Sequence, residues 1–185
     1  MMNDILDLMR MRHSGRAYHP NRSVSEVDLA AMLEAARWAP SGGNGQPWRF
    51  KIARHGTPEF EAMHAILAAG NKDWAKHASL LVLTAAEVRR MNAKGELTEN
   101  RTAFFDVGMA NFALNLEAVR RGLMVHFIGG FNVAAAQQWL PEHVVPVCML
   151  TIGYEGDGTL LSDSLREREK APRTRKELDS LLIHS

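Results

Sequence analysis

Residues 40–48 read Pro40-Ser41-Gly42-Gly43-Asn44-Gly45-Gln46-Pro47-Trp48. Glycines let a backbone come close to a ligand, and the Asn and Gln amides both donate and accept hydrogen bonds. Such groups suit the edge of a flat heteroaromatic ring. The stretch is not a Walker loop, because no Gly-Lys-Ser/Thr follows, and it lacks the GxGxxG dinucleotide fingerprint. Taken alone, it also reads as a flexible turn.

The flanks on either side carry regular patterns. Upstream, Ser25 with Asp28 three residues on opens a helix whose face is Leu29, Met32, Leu33 and Ala36, stopped before Pro40. Downstream, Trp48, Phe50 and Ile52 alternate, which predicts a strand over 48–53. Thr57 and Pro58 open another helix with Phe60, Met63, Ile66 and Leu67 on its face and Gly70 at its end. The apolar run from Leu80 to Thr84 predicts a buried strand. Further strands are expected over 124–128 and 145–152, with a short helix over 133–140 between them. Near the start, Ile5, Leu8 and Met9 follow Asn3 and Asp4, either of which is a fitting helix cap. Helices and strands do not alternate strictly, so the pattern predicts one α+β domain over 1–185.

Two segments stand apart. Residues 87–100 are polar and charged without firm periodicity, and they read as a mobile excursion over a site. The helix expected over 102–121 carries Phe104, Phe105, Val107, Met109, Phe112, Leu114, Leu116 and Val119 around most of its circumference. A helix apolar nearly all round is enclosed on every side, and in so small a domain a second subunit is the natural cover. The tail after Gly153 is polar to Arg175, then regains Leu178, Leu181, Leu182 and Ile183.

Bulk composition excludes several classes. The 185 residues carry 22 basic and 21 acidic side chains, a net charge of +1, which disfavours a nucleic-acid binder. The opening segment is too short and charged for a signal peptide, and no apolar run approaches membrane-spanning length, so a reducing cytoplasm is expected. The single cysteine, Cys148, rules out a disulfide framework and reads as an inert core residue. Eight scattered histidines form no HxxxH or HExxH pair, so no metal site is expected, and no GxSxG elbow marks a nucleophile.

Three other segments carry donors. Arg12-His13-Ser14-Gly15-Arg16 offers two guanidinium forks and a hydroxyl suited to phosphate, though a solvated basic turn reads the same way. Gly129-Gly130-Phe131 follows a strand and precedes a helix, where backbone N–H groups can point at an acceptor, or where glycine serves the turn. Arg173-Thr174-Arg175 is a second phosphate clamp or an exposed basic tail.

In this order, the four segments together resemble the FMN-dependent nitroreductase family, over about residues 5–182. The resemblance implies a nitroreductase-like α+β fold, a central mixed or antiparallel sheet flanked by helices, and an interlocked homodimer with flavin at the interface. It implies FMN as cofactor and NADH or NADPH as hydride donor, with nitroaromatics, quinones or similar electron-poor molecules reduced in ping-pong fashion. It places Arg12, His13, Ser14 and Arg16 around phosphate, ribityl and pyrimidine edge. Pro40, Ser41, Gly42 and Asn44 form the loop reaching the flavin from the other subunit, with Gln46 in the same motif. Asn71 touches the ring, Gly129 and Gly130 lie near its redox-active nitrogen, and Arg173 and Arg175 lie on the phosphate. No side chain need act as nucleophile, so no catalytic residue is assigned. Trp74 and Gly129 stand where some relatives carry a basic residue and Glu. Alternative expectations are a specialised reaction such as dehalogenation or aldehyde or enone reduction, or flavin binding without turnover.

Overall fold

Why Leu80, Leu81, Val82 and Leu83 are all apolar becomes plain in the computed structural model, which describes residues 5–91 and 94–183. They lie on β2 (Leu80–Glu87), a central strand in a four-stranded antiparallel sheet. Its neighbours are β1 (Trp48–Arg54), β5 (Leu123–Ile128) and β6 (Val144–Tyr154), in the order β1-β2-β6-β5. Side chains alternate across a strand. Leu80 and Val82 therefore join Leu150 and Ile152 in one core, while Leu81 and Leu83 join Met149 in another. A strand covered on both faces needs an unbroken apolar run. Pro146 sits in central β6, where a proline would break the ladder, but it lies opposite Ala85 next to a register shift.

The first core is roofed by α2 (Glu26–Arg37) and α5 (Ala103–Arg120), the second by α3 (Pro58–Ala65), α4 (Ala69–Ala75) and α6 (Val133–Gln137). Ser25 caps α2 by accepting from the Asp28 amide, and Thr57 caps α3 with Pro58 in its first turn, as their sequences predict. Gly70 does not end α3. That helix stops at Ala65, and Gly70 lies in the first turn of α4. α6 stops at Gln137, short of the expected Leu140.

Within the 87–100 excursion, which shows no firm periodicity in sequence, Arg89–Met91 (β3) pairs antiparallel with Leu97–Glu99 (β4). Two three-residue strands are too short to show a period. α1 (Asp7–Met11) begins at Leu6 without a side-chain cap, and the expected caps Asn3 and Asp4 lie outside the described residues. The polar tail contains α7 (Asp163–Lys170), capped by Ser162. The other difference concerns α5. Val107, Ala110, Leu114 and Ala118 are buried, but Phe104, Phe105 and Phe112 are 55%, 69% and 41% exposed in one chain. Its enclosure is incomplete within a single copy.

Candidate functional site

Residues 12–16 lie against edge strand β5. The carbonyl of Gly15 accepts from Nδ1 of His126 at 3.1 Å, a contact that assigns the ring proton to Nδ1. Burial is the first cause of the lowered pKa of His126, so the ring stays neutral at pH 7. A Cβ at Gly15 would stand 2.3 Å from Met124 Sδ and 2.9 Å from His13 Nε2, so any larger residue would have to displace those side chains. The tail is strapped to the same place. Arg173 donates to the Arg12 carbonyl at 2.6 Å and to that of Arg10 at 2.5 Å.

Together these segments enclose a cavity of about 490 Å³ lined by Arg12, Arg16, Arg168, Arg173 and Arg175, with Ser14 among the lining. Five guanidinium groups face one carboxylate, Glu169. Partial burial first, then Arg175 and Arg173, pushes the pKa of Arg12 below its ordinary value. A bound anion would relieve that repulsion. Arg168 and Glu169 escaped the sequence reading because nothing in a polar tail marks which charges will face a cavity.

Glu169 occupies donors that an anionic or carbonyl-bearing ligand would use. Its two oxygens accept from the Arg16 amide and from Arg16 Nη1, both at 2.9 Å. Glu169→Gln keeps the shape and removes the charge. It is expected to raise affinity for an anionic ligand about fivefold, roughly 1 kcal/mol for a partly exposed pair. Fluorescence titration with FMN checks this, and weaker binding would make Glu169 an orienting partner of Arg16 instead.

α4 carries the next group. Arg16 lies 5.8 Å above the Trp74 ring, and Trp74 packs 4.5 Å from His126. Trp74 itself is fully buried and gives its indole N–H to Gly70, so its ring is a floor beneath Arg16. One turn earlier, Asn71 Nδ2 donates to the Gly130 carbonyl at 3.3 Å, and the Ala68 amide donates to the same oxygen at 2.9 Å. Gly129 faces open space. Arg12, His13, Ser14, Arg16, Asn71, Gly129, Gly130, Arg173 and Arg175 thus gather along the β5 edge of one chain.

The 41–46 loop is elsewhere. It feeds β1, the opposite edge of the sheet. Three strand spacings put those edges about 14 Å apart. Gly43, Asn44 and Gln46 have φ of 57°, 55° and 45°. Glycine and asparagine tolerate this left-handed region, but glutamine is strained there, and such strain concentrates at ligand sites. The loop is held by contacts the sequence did not announce. Buried Asp106 accepts from the Gly42 amide at 3.1 Å and from Thr102 Oγ1 at 2.9 Å, and Arg90 of the hairpin donates to the Gly42 carbonyl at 2.9 Å. Ser41 Oγ accepts from the Gln46 amide, and the Gln46 side chain reaches Asn44. A lone carboxylate among Phe104, Phe105 and Val107 in the first turn of α5 was the available signal for Asp106.

Cys148 is half-buried against Thr84 and Asn111, and burial raises its thiol pKa, which fits an unreactive role. Among the described residues, no three His, Cys, Asp or Glu side chains are placed to share a metal ion. No helix among them is long and apolar enough to cross a membrane.

The profile of the Nitroreductase family matches residues 9–61 and 53–154. The chain belongs to the nitroreductase family. Among curated relatives of this family member, the "Putative NAD(P)H nitroreductase YdgI" of Bacillus subtilis is 26% identical over 190 residues, covering 84% of this chain and 90% of the relative. A solved structure described as an "oxidoreductase containing FMN" has 30% identity and a TM-score of 0.92, over 99% of this chain and 92% of its own. The "putative nitroreductase in complex with FMN" of Desulfovibrio desulfuricans shares the fold at a TM-score of 0.76 and 22% identity, over 100% and 98% of the two chains. The nitroreductase fold expected from the four segments is therefore present, with every pair in its central sheet antiparallel.

Proposed function

We propose that this nitroreductase-family chain is an FMN-dependent NAD(P)H oxidoreductase that works in the cytoplasm on electron-poor small molecules such as nitroaromatics and quinones. The observation that carries the reading is the cavity in which five guanidinium groups outnumber one carboxylate. Its donor set suits a phosphate monoester, and Asn71 and Gly130, bonded to each other beyond Arg16 and Trp74, suit a ring edge. In this reading Arg12, Ser14, Arg173 and Arg175 hold the phosphate, with Arg173 also spending two donors on the strap. Arg16, Asn71, Gly129 and Gly130 present donors to the ring, and His13 buttresses the segment through Glu155 at 3.4 Å. Bound FMN would supply the hydride-accepting and hydride-donating chemistry. The protein's donors at the pyrimidine edge would stabilise the negative charge gained on reduction.

The remaining wall would come from a second copy, since Pro40, Ser41, Gly42, Asn44 and Gln46 precede the opposite edge strand of the sheet in the same chain. Surface area supports a dimer. The chain exposes 11255 Å², whereas a compact monomer of this mass exposes about 8,900 Å². Exposed apolar side chains include Phe104, Phe105 and Phe112 on α5 and Leu178, Leu181, Leu182 and Ile183 in the tail.

Steady-state oxidation of NADH or NADPH with a quinone, using protein saturated with FMN, tests the reading. Parallel double-reciprocal lines are expected, since donor and acceptor take turns at one place. Intersecting lines would reject the shared place, and a protein that stays colourless after mixing with FMN would reject the cofactor.

A further inference from the structure

A second, smaller cavity of about 90 Å³ lies where the chain enters β2, lined by His19, Arg22, Ser23, His55, His77 and Ser79. The wall is built by long-range hydrogen bonds. The His55 amide donates to the Ser79 carbonyl at 2.9 Å, and the Val24 amide donates to Ser79 Oγ at 2.8 Å. Having accepted there, the Ser79 hydroxyl retains its proton to give. His19 Nδ1 accepts from the Asn21 amide at 3.2 Å, which leaves Nε2 as the protonated nitrogen of the neutral ring. The lining therefore offers three imidazoles, a guanidinium and two hydroxyls, without a carboxylate.

A metal is the wrong occupant. Sharing one ion requires nitrogen ligands within about 2.0–2.1 Å of it, and among the described residues no such group of three exists. Donors spread around a space worth about three water molecules suit an anion of a few heavy atoms. The charges nearby agree. Lys76 adjoins His77, Arg22 lies 3.5 Å over the Tyr154 ring, and the carboxylates at hand are Asp157 near His19 and Glu26, already paired with Arg54.

We propose that this cavity binds a free tetrahedral oxyanion, such as inorganic phosphate or sulfate, through Arg22, the Ser23 and Ser79 hydroxyls and the three imidazoles. Burial first, then Lys76 and His55, lowers the pKa of His77, so an anion that offsets the repulsion favours its protonated form. Anion binding therefore strengthens as pH falls through the histidine range and weakens as pH rises above it. This site is separate from the arginine cavity and does not depend on the cofactor assigned there.

Inorganic sulfate, a dianion throughout this interval, titrated into the protein at about pH 6 and about pH 8 tests it, with the ring-proton NMR signals of His19, His55 and His77 as a local readout. Saturable, concerted shifts of all three are expected at the lower pH, with affinity roughly tenfold weaker at the higher. The exposed-site variants Arg22→Gln and His55→Gln should each weaken the effect strongly without altering NAD(P)H oxidation, and Arg175→Ala should keep it. AMP should shift the three signals far less, since a nucleoside does not fit within about 90 Å³. Shifts that survive Arg22→Gln, vanish in Arg175→Ala, follow AMP equally, or fail to appear at either pH would each overturn the proposal.

Discussion

Arg12→Ala is expected to weaken FMN binding by about 1.5–3 kcal/mol, the worth of a hydrogen bond to a charged group. That corresponds to roughly ten- to hundred-and-fifty-fold in dissociation constant. The expectation rests on where Arg12 sits. It is partly buried, crowded by Arg173 and Arg175, and among the described residues its side-chain hydrogen bond to Ser14 Oγ is a long 3.4 Å. A cation in that position is poised for an anion. Arg12→Lys should recover only part of the loss, because an ammonium lacks the planar fork. Fluorescence titration of FMN measures both, and unchanged affinity in the alanine variant would remove Arg12 from the site. The backbone carbonyl of Arg12 remains in either variant, so the Arg173 strap survives and the measurement reports the side chain.

The second large effect is expected far from the arginine cavity. Asp106→Ala should destabilise the fold by about 1.5–3 kcal/mol, since a buried carboxylate that accepts from Gly42 and Thr102 is lost. It should also lower FMN affinity about tenfold, although Asp106 lies with the loop at the opposite sheet edge. In the proposed dimer the route would be the second copy, whose 41–46 loop would need Gly42 pinned to keep Asn44 and Gln46 in their left-handed backbone. Asp106→Asn, which retains an acceptor oxygen, should recover most of both losses. Denaturant unfolding and flavin titration report the two effects separately. A destabilised variant with full FMN affinity would show that the loop does not reach the flavin.

Much of this chain was legible residue by residue. Ser25 and Thr57 open helices because their side chains accept from amides three residues on, and that chemistry is local. The run Leu80–Leu83 marks a strand buried on two faces for the same reason: its neighbours in sequence carry the whole pattern. Where the signal was not local, the reading slipped. The hairpin 89–99 is too short for a period, and Gly70 resembled a helix end although a second helix began around it. Trp74, noted as a departure near the flavin, is a buried floor that supports Arg16. Asp106 and Glu169, each gripping a predicted segment, drew no attention.

From its sequence alone, this protein determined its long helices, its central strands, and four segments rich in donors, because caps, periods and glycine-rich turns act within a few residues. Only the tertiary structure decided which of those segments meet. Arg12 and Arg173 are bonded across 161 residues of chain, while the 41–46 loop, much nearer in sequence, sits on the far edge of the sheet. The physical reason is burial of two apolar faces on β2 and β6, which fixes strand order and therefore the partners of every loop at the sheet's rim.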